Sequence, residues 1–145
     1  MTERAIDPDH WLLRLSPRGW IDASLAELSR AKSAFAAGDA RAGTVAAKRA
    51  AGMSLNAVLI LFPDEAWGRT YLEHVKAAGA DPQVPEAVRE AARSVLATTP
   101  PGAQLVTLRS RASDERTIEA ARTVMAFALS VVMDAESAGS TGPSS

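Results

Sequence analysis

The chain has 145 residues, with 16 Lys plus Arg against 17 Asp plus Glu, two histidines, no cysteine, and an aromatic set of three Trp, three Phe and one Tyr. That is the length of one domain able to bury a core, and a net charge of -1 excludes a wholly basic nucleic-acid coat while leaving room for local anion-binding clusters. The absence of cysteine excludes a disulfide framework, a thiolate zinc site and a cysteine nucleophile, and leaves His10 and His74 as the only imidazoles.

The first residues, Met1 to His10, are polar and lack the apolar core of a signal peptide. The longest apolar run, Ala57 to Phe62, is far short of the roughly 20 residues that span a bilayer. A cytoplasmic protein without a membrane segment is expected. Asp7, Asp9 and His10 place two carboxylates beside one imidazole, a weak candidate metal site in a segment that reads more simply as polar. Residues 1–15 are expected to be a polar segment or a short helix, residues 16–133 a single helical-bundle domain, and residues 134–145, rich in Ser, Gly and Pro, a disordered tail.

Ser16 followed by Pro17 predicts the start of the first long helix, and Gly38 its stop. Ile21, Leu25, Leu28 and Phe35 recur at helical spacing, with Glu27, Arg30 and Ser33 interleaved as the polar side. Asp39 predicts the cap of a second helix running to about Phe62, where Pro63 blocks continuation. So short a connection predicts an antiparallel hairpin. Ala46 to Gly52 carries almost no side-chain bulk, which marks a place where another backbone approaches closely. The alanine-rich stretch Ala31 to Ala51 has no second copy about 34 residues on, so a helical repeat array is disfavoured. Farther along, Met53, Ala57 and Ile60 form one stripe and Leu55, Leu59 and Phe62 another, with Asn56 between them as a buried polar group in need of a partner.

A third segment, Asp64 to Ala78, contains Trp67, Tyr71, Leu72 and Val75, and a fourth is opened by Pro85 with Val88, Ala92, Val95 and Leu96. The long loop to about Ala112 holds Leu105 to Leu108, which suits an extended strip, and is followed by Arg109, Arg111 and Arg116. Those arginines, and Lys48 with Arg49, are candidate phosphate contacts. Ser113 or Asp114 then opens a last helix whose broad stripe, Ile118, Ala121, Met125, Ala128, Leu129 and Val132, is widened by Val124, Phe127 and Val131. There is no glycine-rich phosphate loop and no nucleophile elbow, and no cofactor or metal is expected.

Several of these stretches resemble the HEPN superfamily of helical domains: Leu25 to Phe35, the alanine-rich Ala46 to Val58, the short Arg69 to Lys76, and the long apolar Ile118 to Val132, in that order. The resemblance implies an all-α, antiparallel four- or five-helix bundle, commonly a homodimer, of the kind found in bacterial toxin-antitoxin and defence systems. Some members are metal-independent ribonucleases and others are noncatalytic partners of nucleotidyltransferases.

The ribonuclease members carry an arginine, a polar residue, three others and a histidine, and Arg69-Thr70-Tyr71-Leu72-Glu73-His74 has that spacing. A histidine near its ordinary pKa moves protons during 2'-hydroxyl attack, and a guanidinium holds phosphate. A dimer would bring two such pairs to one cleft. In an unbroken helix, however, residues five apart diverge by about 140°. The pair therefore needs a helix that begins at Thr70, where Thr70 and Glu73 form a capping-box pattern after Gly68, and fails if one helix runs on from Asp64. Both starts are open from sequence. In the nuclease members the motif opens the last long helix, whereas here it opens the third segment and the last helix has no histidine. The expectation is therefore a noncatalytic, HEPN-like bundle that dimerises or docks a partner protein through its small-residue face and the ends of its long helices, with RNA cleavage by Arg69 and His74 as the alternative.

Overall fold

The computed structural model describes residues 11–97 and 111–140. Five helices, α1 (Pro17–Ala36), α2 (Ala40–Leu61), α3 (Tyr71–Ala80), α4 (Glu86–Ala97) and α5 (Arg111–Ser140), form an all-α bundle, with 3-10 turns at Trp11–Arg14 and Glu65–Trp67. No strand occurs among the described residues. The Leu105 to Leu108 strip and Arg109 lie outside them, as do Asp7, Asp9 and His10.

Cap chemistry sets the first boundaries. The Ser16 hydroxyl accepts from the Gly19 N–H at 3.0 Å with Pro17 in the first turn, and the Asp39 carboxylate accepts from the Ala42 N–H at 3.0 Å. Between them Gly38, at φ 84°, makes the reversal. Phe35 covers Gly43, and Glu27 pairs with Arg49, so α1 and α2 run antiparallel as expected.

The buried face of α1 differs from the expected stripe. It consists of Trp20, Ile21, Ser24, Glu27, Leu28 and Ala31, whereas Leu25 is 54% exposed. At about 100° per residue this face is rotated away from Leu25. Ser24 and Ala31 are wholly buried on this face, and the charge of Glu27 is met by Arg30 and Arg49.

α2 is the centre of the bundle and packs on all four other helices. Its small-residue segment is consumed inside the chain: Ala47, Ala50 and Ala51 are wholly buried, and a Cβ on Gly52 would meet the Tyr71 Cα at 2.7 Å. The segment is thus buried within the chain, with α3 closing on it at Gly52. Asn56 is buried as expected, but its amide Oδ1 and Nδ2 have no partner among the described residues, at a cost of about 1–3 kcal/mol.

α4 presents Val88, Ala92 and Val95 to the core, and Arg93 donates to the Gly79 carbonyl at the end of α3 at 2.7 Å. α5 begins slightly before the expected cap, and it continues past 133 to Ser140, where a disordered tail was expected. Near that end Glu136 pairs with Arg18 of α1 at 2.8 Å, a tertiary contact that the local composition does not reveal.

Candidate functional site

The segment leading into α3 resolves the two open helix starts by using both. Asp64 caps only the turn Glu65–Trp67, its carboxylate accepting from the Ala66 N–H at 3.0 Å. Gly68 then adopts φ 81°, a left-handed conformation that breaks the helix and that a Cβ would obstruct against Glu73. Thr70 caps α3: its hydroxyl accepts from the Glu73 N–H at 3.1 Å, and Glu73 Oε1 accepts from the N–H groups of Thr70 at 3.0 Å and Arg69 at 2.8 Å. This is a complete capping box. The Arg69 and Thr70 backbone bonds hold the Glu73 carboxyl below the usual carboxylate range.

Arg69 and His74 therefore occupy the positions before the cap and one turn into the helix, but their side chains meet different surroundings. Arg69 is exposed, whereas His74 is fully buried. The imidazole lies parallel to the indole of Trp11, with centroids 6.2 Å apart and planes 6° apart. Trp11 in turn meets Trp20 and Tyr71 edge to face, at 6.1 and 6.3 Å. His74 Nε2 is 3.2 Å from the Gly68 carbonyl oxygen, and Nδ1 has no partner among the described residues. Burial pushes the imidazole below its ordinary pKa, against smaller upward pulls from the Gly68 bond and from Glu73. The guanidinium is exposed to solvent, whereas the imidazole is buried with the Trp11 ring parallel to it.

A second site lies on the α1–α2 hairpin, where a groove of about 500 Å³ is lined by Glu27, Arg30, Ala34, Asp39, Arg41, Ala42, Val45, Ala46 and Arg49. Glu27 is buried, and it accepts from Arg30 Nη1 at 3.4 Å and Arg49 Nη1 at 3.3 Å, so two guanidinium groups share one carboxylate. Asp39 is engaged in capping α2. Arg41 has no ion-pair partner among the described residues, and it stands in the first turn of α2, where the helix dipole is positive. The groove thus carries one cation more than it has carboxylates, above a floor of Ala34, Ala42, Ala46 and the 45% exposed Val45.

Of the candidate phosphate contacts, Arg49 belongs to this groove, Lys48 is half-buried, and Arg116 is exposed on α5. Sequence reading missed Glu27, Arg30 and Arg41. The available signal was the spacing of Glu27 from Trp20, Ser24 and Ala31, which puts a carboxylate on a face of small and apolar residues. No group of three or more His, Asp or Glu side chains suited to a metal occurs among the described residues, and no described helix is long and apolar enough to cross a membrane. No protein-family model, no curated protein and no solved structure matches the chain.

Proposed function

We propose that the chain is a noncatalytic, HEPN-like helical bundle that acts by binding, and that the α1–α2 groove takes an acidic segment of a partner protein. The observation that carries this reading is the cation surplus of an open groove: Arg30, Arg41 and Arg49 set against Glu27 and Asp39, over an apolar floor. Carboxylates of a partner would satisfy Arg41 and the outer sides of Arg30 and Arg49, while a small apolar side chain would cover Val45. Such complementarity sets orientation and partner choice more than raw affinity. A nucleotidyltransferase-type partner in a bacterial toxin-antitoxin or defence setting is the assembly that the HEPN-like element order favours, and a second copy of the chain is the competing occupant.

A short fluorescein-labelled peptide of alternating Glu and Leu tests the groove by anisotropy. Saturable binding is expected, weakening about tenfold or more with Arg41→Glu or Arg49→Glu and falling as salt rises. Equal binding by the variants, or none by the wild type, contradicts it. Sedimentation of the unliganded chain reads self-association separately, and dimerisation lost in Arg41→Glu would assign the groove to a second copy.

Metal-independent RNA cleavage by Arg69 and His74 is the second reading. The break at Gly68 favours it by placing the two residues at the staple positions around Thr70. Enclosure of the imidazole beneath Trp11 opposes it.

A further inference from the structure

The two nitrogens of His74 have unequal surroundings. The Gly68 carbonyl oxygen near Nε2 can only accept, so Nε2 carries the hydrogen and the neutral ring leaves Nδ1 as a bare lone pair. Nδ1 is buried without a partner among the described residues. A second proton must enter there, creating a buried charge and an N–H with no acceptor.

The neighbouring groups do not offset that penalty. Among the described residues Glu73 is the one charged side chain that acts on the ring, and its Oε1 is occupied by the Arg69 and Thr70 N–H groups. From Gly52 to Leu61 α2 has no ionisable side chain. On α4, Glu86 is paired with Arg89 and Arg93, and Arg93 also reaches Gly79. Glu65 on the turn before α3, Arg14 on the first turn, and Arg69 and Lys76, near His74 in the chain, are exposed. The indole of Trp11, at 6.2 Å, is at the outer limit of the roughly 6 Å over which a ring attracts a cation.

We propose that His74 is a proton-triggered latch: protonation at Nδ1 releases Trp11 and the turn Trp11–Arg14 from the bundle while the helices stay folded, uncovering an aromatic face that includes Trp20 and Tyr71. The release is local because the turn has four residues, with Leu13 exposed; the buried Leu12 and the Trp20 Nε1 bond to the Leu12 carbonyl at 2.7 Å are among the contacts that hold it. Short elements outside the core helices open at lower free energy than those helices. The direction of titration agrees. Burial lowers the closed-state pKa of His74, so the closed state is favoured above the ordinary imidazole value of 6.5 and loses that advantage as pH falls toward the lowered value, by at most about tenfold in the opening equilibrium per pH unit.

The test uses the full chain labelled with 5-fluorotryptophan, the Trp11 signal being assigned with Trp11→Phe. The pH is lowered from about 7.5 to about 5 while fluorine spectra, imidazole nitrogen spectra and helical circular dichroism are recorded. The expected result is movement of the Trp11 signal toward its unfolded position, with the same midpoint as His74 protonation, helicity unchanged, and the transition lost in His74→Gln. The proposal is overturned by a Trp11 signal that stays fixed while His74 protonates, by loss of Trp11 packing and helicity together, or by the same transition in a folded His74→Gln chain. If that variant does not fold, coincidence or divergence of the two wild-type midpoints decides.

Discussion

The indole of Trp11 and the imidazole of His74 lie face to face, 6.2 Å between centroids and 6° between planes, although 63 positions separate them in the chain. It pairs Trp11 with the buried histidine of the Arg69-to-His74 motif. Replacing Trp11 by Ala should uncover the ring and raise the rate of His74 carbethoxylation at least about tenfold, read by peptide mass spectrometry, because local opening would no longer be needed before reaction. An unchanged rate would mean that other groups shield the ring.

Enclosure of His74 also bears on RNA. Incubation of the purified chain with single-stranded RNA in EDTA should give no more cleavage than the Arg69→Ala, His74→Ala variant gives, because a general base must reach the proton it removes. Cleavage by the wild type and not by a folded variant would revive the nuclease reading.

Close approach of α2 and α3 at Gly52 makes a third prediction. A methyl group there would lie 2.7 Å from the Tyr71 Cα and 2.8 Å from its carbonyl oxygen, atoms of backbone that cannot rotate aside. Gly52→Ala should therefore destabilise the bundle by about 1–3 kcal/mol despite the better helix propensity of alanine. Urea denaturation measures it.

The capping box makes the start of α3 sensitive to acid. Thr70→Ala should cost about 1 kcal/mol. Glu73 has a lowered pKa in the folded chain, so its contribution is present above the ordinary value of 4.5 and is lost as pH falls through the folded value. Glu73→Gln keeps an acceptor but not the charge. The stability difference between wild type and Glu73→Gln should therefore be widest above pH 4.5 and shrink below it, as read from urea midpoints at a series of pH values.

What could be read from the sequence was the chemistry that acts between near neighbours. Ser16 with Pro17, Asp39, and Thr70 with Glu73 each satisfy backbone groups within a few residues, so the helix starts they mark were visible in the chain. The competing start at Asp64 was also a true cap, and only the positive φ of Gly68 limits it to one turn. The rest depends on distant partners. Glu27 looked like a solvated residue because Arg49, which meets it, comes 22 positions later on another helix. His74 is paired with the distant Trp11, and the run of α5 to Ser140 goes with Glu136 meeting Arg18 across 118 positions. The small-residue segment of α2 was correctly read as a close crossing, but whether its neighbour was another chain or this one depended on the path of α3.

The most direct measurement of the binding role is a nitrogen-15 chemical-shift titration of the full chain with the Glu-Leu peptide. The account predicts saturable shifts gathered at Arg30, Ala34, Arg41, Val45 and Arg49, along the α1–α2 groove, and their loss in Arg41→Glu. Shifts gathered on another face, or none at saturating peptide, would contradict it.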